Sequence, residues 1–355
     1  MIAKVINRTT PLCFLPCGKL IGYKDGNLLE MKNGVLEKKY PIFHTNKEKF
    51  VARSHLLFRG LRLGIRTAVA LSDELIVCSI GNMLYEYNLK DKKLSDGFCL
   101  VDRIRPLIFT DVKGVEGFVD MLIFGGYLAN PDKNPVHIYK RVYADKWEIV
   151  YTFPQSAINH VHNIVADPYR KCLWAFTGDF DEASAIWKIT DNFKSVERVF
   201  CNDQMYRACA AFALPEGLLY ATDAPFAEDY IYLMKEDLSV EQINSIGGSC
   251  IYGCQWKDKY VFSSTVEADG RNQTKMQFLF SRKCGAGIKD DYVHLYCGNL
   301  ETGFKEIYKE KKDIWQFLFQ FGVFKFPMGK NESDLLYFQP VATDKNDLNL
   351  MVYKK

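Results

Sequence analysis

The chain has 355 residues, 48% of them hydrophobic and 14% aromatic, which is enough apolar material for a large core and excludes a disordered chain. Its 46 basic and 43 acidic residues are interspersed and leave a formal charge of +3, so there is no whole-molecule electrostatic case for nucleic acid or an anionic membrane. The opening MIAKVINRTTPLCFLPCGKLIGY lacks a basic stretch followed by an unbroken apolar run, and no later segment has spanning length. The expectation is therefore an unexported cytoplasmic protein without membrane insertion.

In chain order, a similar unit recurs at 17–42, 72–100, 119–153, 170–200, 216–246, 258–309 and 333–355. Each opens on a short apolar strand ending in small or polar residues, continues through a loop into an aromatic-rich alternating strand, then turns, usually into a third strand. One more strand precedes most units: GIRTAVAL, RPLIFTDV, HVHNIVAD, YRACAAFAL, CIYGCQW and FQFGVFKF. Four strands per unit, repeating at roughly 45 to 65 residues, predict an all-β, seven-bladed β-propeller of four-stranded antiparallel blades. The last unit runs out after its third strand. The N-terminal MIAKVINR reads as the strand that completes it and closes the ring. The expected organisation is one domain over 1–355 with an irregular insertion at about 268–291, whose glycine-rich end reads as a mobile surface loop. No long amphipathic helix is expected.

The 11 cysteines lie mostly inside apolar strand-like runs, which favours a reducing compartment. Cys13 with Cys17 and Cys250 with Cys254 form the close pairs. Neither is followed by a second ligand pair, so core packing is the better reading than zinc. P-loop, GxGxxG, GxSxG and HExxH patterns are missing.

Two hairpins look like eroded Asp-boxes: ITDNFKSV, with Asp191 and Ser195 followed by Glu197, and KEDLSVEQ, with Asp237 and Ser239. The role of such a turn is structural, the Asp side chain accepting from nearby backbone N–H groups. With the block HVHNIVADPYRKCLWAFTGD…IWKITD…QMYRACAAF…LLYATDAP, over residues 159 to 225, the chain resembles bacterial sialidase-like, BNR-type propellers associated with carbohydrate metabolism. RIRP at 103–106 is loosely similar to their RIP motif, whereas seven units stand where those proteins usually have six. The resemblance implies a propeller and carbohydrate chemistry.

In a propeller, the starts of the inner strands and the loops after the second strands gather around the central channel. Those positions collect Arg62, Arg66, Arg103, Arg105, His160, His162, Gln204, Arg207 and Tyr252, with Asp179, Asp181, Asp223 and Glu267 from the loops. His160 and His162, two apart on a strand, face one side. They suit a general base or, with Asp179, two ligands of a divalent ion, against the blander reading of hydrogen bonding inside the blade. Asp179 and Asp223 occupy matching places in FTGD and YATD and suit an acid and base pair or loop-tying carboxylates. Arg207 with Arg66 or Arg105 suits a sugar carboxylate, against an inter-blade ion pair. Gln204 and Tyr252 join them, Tyr206 suits stacking on a sugar, and Trp187 reads as core.

The expected function is thus a carbohydrate-active enzyme, a glycoside hydrolase or polysaccharide lyase, working on an acidic glycan or oligosaccharide. A divalent metal is left open. The alternative is a non-catalytic propeller that binds a sugar or a protein partner.

Overall fold

A computed structural model of the chain describes residues 1–42, 59–60, 64–101, 104–269 and 274–355. The described strands form seven antiparallel sheets, six with four strands on their main path and one with a fifth short strand beside it. The blades comprise Thr10–Pro41, Ile65–Cys99, Thr110–Phe153, His160–Cys201, Ala208–Ser245 and Tyr252–Lys311. The seventh joins Val323–Lys325, Leu335–Val341 and Leu350–Lys354 to the N-terminal strand Ile2–Ile6. This is the all-β seven-bladed propeller expected from the repeat.

Closure follows from pairing Ile6 with Leu350 and Lys4 with Val352. Gln339, 2% exposed, donates through Nε2 to the Leu348 carbonyl within its own blade and to the Thr9 carbonyl at the start of the first. The seam is thereby tied at its buried end as well as at its edge.

Alternation along each strand sends one set of side chains toward each neighbouring blade. The apolar clusters accordingly lie between blades. Val112, Ile123, Ile138 and Phe153 of the third blade meet Ile164, Leu173, Ala175 and Trp187 of the fourth. Across the seam, Leu20, Leu29 and Met31 meet Tyr337, Leu350 and Val352. Trp187 is a core residue, its ring edge-on to Phe153 at 5.1 Å. Cys13, Cys250 and Cys254 are buried and unbridged, as packing residues should be, but Cys17 is exposed beside Asp73, whose carboxylate accepts from its backbone N–H.

Of the two eroded Asp-boxes, only the second keeps its turn chemistry. Asp237 accepts from the backbone N–H and the hydroxyl of Ser239. Asp191 instead faces Lys194 at 3.5 Å, and Ser195 donates to Glu197. The insertion contains a short helix, Lys275–Phe280. Its glycine-rich end is not a loose loop: Gly285 donates to the Glu267 carbonyl, Gly287 to Pro225 and Lys289 to Gly247, pinning it across two blades.

The inner strands of all seven blades line one central channel, which encloses roughly 340 Å³. Continuous with it is a funnel of roughly 220 Å³. Among the described residues no helix is long and apolar enough to cross a membrane.

Candidate functional site

The channel end of the fourth blade is shaped by a β-bulge. Val161 pairs with Thr177 and Asn163 with Phe176, leaving His162 as the extra residue. The same irregularity recurs in the inner strands of the first, second and fifth blades, where Leu12, Arg66 and Cys209 take the extra place. A bulge re-aims the side chain it inserts. His160 therefore aligns with Arg207, and His162 with Cys209, one blade apart.

The loops after the second strands supply the facing groups. Phe124, Phe176, Tyr220 and Phe262, all fully buried, anchor that strand in consecutive blades. Three residues further on stand Tyr127, Asp179, Asp223 and Thr265. Gly178 admits the imidazole of His162, since a Cβ there would lie 2.3 Å from its Cε1.

These elements bring His160, His162, Asp179, Gln204, Arg207 and Asp223 into one cluster. The two Nε2 atoms are 2.9 Å apart, and each is 3.4 Å from Asp179 Oδ1. Arg207 Nη2 approaches the same oxygen at 3.3 Å and Asp223 Oδ2 at 3.6 Å. Gln204 Nε2 and Arg207 Nη1 both donate to the Asp179 carbonyl. Arg207 is thus buried and already balanced by two protein carboxylates, so the guanidinium expected to hold a sugar acid is engaged within the protein. Asp223 is buried and accepts from the Cys209 thiol at 3.3 Å, whereas Asp179 keeps 32% of its side-chain exposure. The two matching carboxylates sit in unlike surroundings.

Electrostatics separates them further. Burial opposes ionisation of Asp179, but hydrogen bonds from His160 and His162 and the charge of Arg207 outweigh it and hold the carboxyl well below its usual range. Burial pushes His162 down, against the pull of Asp179, and keeps the ring neutral. Glu267, which accepts from Ser249, is pushed up to about 8 by burial and by the charge of Asp223. Four polar atoms of the cluster are buried without a hydrogen-bond partner: His162 Nδ1, Gln204 Oε1, Arg207 Nε and Asp223 Oδ1. Each of these atoms has capacity for a further hydrogen bond to water or to a ligand.

Arg66, Arg105 and Tyr252 line the funnel instead, together with Lys325 and Tyr127. Tyr127 joins funnel to cluster: its ring is 4.5 Å from that of His160 and 5.3 Å from the Arg105 guanidinium. Burial and the nearby Asp179 and Asp223 raise its phenol and keep it protonated. Tyr206 lies elsewhere, stacked on Phe200 at 4.7 Å against the interface of the fourth and fifth blades. Asp181 is on an exposed turn, and Arg62 and Arg103 lie outside the described residues. No described residue of the insertion lines the funnel.

Tyr127, Cys209 and Lys325 were missing from the sequence reading. Tyr127 and Cys209 occupy the places of Asp179 and His162 in neighbouring blades, a signal that aligning the repeats would have raised. Lys325 faces the Tyr252 ring at 5.9 Å from the seventh blade and has no comparable motif.

No protein-family model and no curated protein sequence matches the chain. Its fold is similar to many solved propellers. A chain of a mitotic checkpoint complex shares 8% identity at TM-score 0.58, covering 100% of this chain and 94% of that one. An oligogalacturonate lyase from Vibrio parahaemolyticus shares 12% identity at TM-score 0.55, covering 98% and 91%. A prolyl endopeptidase shares 10% at TM-score 0.54, covering 98% of this chain but 50% of that one. At these identities the likeness is one of fold alone.

Proposed function

We propose that the funnel binds an acidic sugar or oligosaccharide and that the protein acts on it, as a polysaccharide lyase in preference to a glycoside hydrolase. The observation that carries this reading is the funnel lining: Arg66, Arg105 and Lys325 with Tyr127 and Tyr252, and no acidic side chain among the described lining residues. Such a wall favours an anion, and its aromatic rings suit the faces of a sugar.

Elimination fits the chemistry of the neighbouring groups. Neutralising a uronate carboxylate by Arg66 or Arg105 makes the adjacent C–H more acidic, and an imidazole can then remove that proton. His160 is the candidate base. Its Nδ1 donates to the Leu128 carbonyl 2.9 Å away, so Nε2 is the nitrogen left to exchange a proton. Tyr127, held protonated, is placed to give a proton to the departing oxygen. Hydrolysis would instead call for a protonated carboxyl beside that oxygen. Glu267, pushed up to about 8, is such a carboxyl in this region, but it is turned to Ser249, whereas His160 is reached from the funnel through Tyr127, whose ring lies 4.5 Å from its own. The substrate class is also that named for the Vibrio propeller, which shares the architecture.

Incubation with oligo-uronides, followed by ultraviolet absorbance of an unsaturated product and by release of reducing ends, tests the reading. Elimination gives both signals, and His160→Ala should slow it roughly a hundredfold or more while ligand still binds. Reducing ends without absorbance would replace lyase by hydrolase. Binding without turnover would leave a sugar-binding propeller.

A further inference from the structure

We propose that His160 Nε2, His162 Nε2 and Asp179 Oδ1 bind a first-row divalent metal ion, with its remaining coordination positions open to a ligand. The three atoms form a triangle with edges of 2.9, 3.4 and 3.4 Å. Donor atoms roughly 2.1 Å from one ion lie roughly 3.0 Å apart at right angles and roughly 3.4 Å apart at tetrahedral angles, so the triangle already has the size of one face of a coordination sphere.

The surroundings of the two rings agree with that assignment. The Leu128 carbonyl can only accept, so His160 donates to it through Nδ1, and Nε2 is the nitrogen left to face an ion. A backbone carbonyl behind the outer nitrogen is the usual device that orients a metal-bound imidazole. His162 Nδ1 is buried without a partner among the described residues. Among those residues only His160 and Asp179 engage the ring through hydrogen-bonding distances, yet Gly178 keeps space for it where any side chain would collide. Two imidazole nitrogens and a carboxylate oxygen form a mixed nitrogen and oxygen set. That suits zinc, cobalt, iron or manganese better than calcium or magnesium, which favour oxygen alone.

The groups behind the triangle are also those a metal site needs. Arg207 Nη2, at 3.3 Å, orients the Asp179 oxygen, and Gln204 and Arg207 fix its main-chain carbonyl. Donor atoms of His162, Cys209 and Asp223 lie within 4.8 Å of one another, and Asp223 Oδ1 lacks a partner, so a carboxylate stands close to the second ligand. Asp179, with 32% of its side chain exposed, gives the ion an entry path. The site shares His160 with the acidic-sugar reading, since an ion on Nε2 would occupy the nitrogen that the lyase reading gives to the base; metal titration and sugar turnover are separate measurements, so either reading can fail without the other.

The full chain, stripped with a chelator and dialysed, is titrated calorimetrically with Zn²⁺ and Co²⁺, and the visible absorption of bound Co²⁺ reports its coordination. The expected result is one ion per chain, a rise in melting temperature, and affinity at least about tenfold weaker in His160→Gln and in Asp179→Asn. Circular dichroism checks that both variants fold. If His160→Gln does not, the partly exposed Asp179 still allows the comparison, and the wild-type titration decides by itself whether an ion binds. Absence of saturable binding by Zn²⁺, Co²⁺ or Mn²⁺, or unchanged affinity in the folded variants, would overturn the proposal.

Discussion

Asp179 and Glu267 show how one small region of a channel sends two carboxyl groups in opposite directions. Asp179 is held ionised by two imidazoles and a guanidinium, whereas Glu267 is pushed up to about 8 by burial beside Asp223. The signs for stability differ accordingly. Asp179, with a lowered folded value, contributes stability that is present above the unfolded value near 3.8 and is lost as pH falls through the folded value. Glu267 binds its proton more tightly folded than unfolded, so between its ordinary value of 4.5 and about 8 the native state holds the extra proton and stability declines as pH rises. Glu267→Gln should remove that decline. The variant should gain on wild type by up to about 5 kcal/mol by pH 9 in denaturant unfolding, with little difference near pH 4. A wild-type profile of the same shape as the variant would mean that Glu267 is ionised throughout.

At the scale of strands and blades, the seam between the first and seventh blades depends on side-chain as well as strand pairing. Gln339→Ala would leave the buried carbonyls of Thr9 and Leu348 short of a donor, at a cost of about 2 kcal/mol. Chemical denaturation should show this as a lower midpoint, and an unchanged midpoint would place the closure in the N-terminal strand alone. How much of these elements could be read in advance depends on the residue pattern. Alternating apolar runs such as CLWAF and GLLYAT, broken by turn residues, made the four-strand unit and the ring legible. The HxH pair was legible too, because two-residue spacing puts both side chains on one face. The bulge at His162 was not, since one extra residue in a strand leaves no compositional mark. Nor could composition show that Arg207 is balanced by Asp179 and Asp223, which come from two different blades. Nor could it show that Tyr206 stacks on Phe200, which lies on the outer strand of the preceding blade.

For the whole molecule, the near balance of charge hides a local asymmetry. A formal +3 is spread over 355 residues, yet the described residues of the funnel lining include cations and no acid. A closed ring produces this by drawing one residue from each of several blades to a common axis, so that Arg66, Arg105 and Lys325 meet from the second blade, the segment leading into the third, and the seventh. The fold itself hosts many unrelated functions, and the site must carry the functional argument. Isothermal calorimetry of the intact protein with galacturonate and glucuronate oligomers, a sialic-type acid and their neutral counterparts tests the central claim most directly, in wild type and Arg105→Ala. The account predicts saturable binding of an acidic sugar, weakened by salt and by roughly tenfold or more in Arg105→Ala, with no binding of the neutral partner. Equal binding of the neutral sugar, or no binding of any acid, would contradict it.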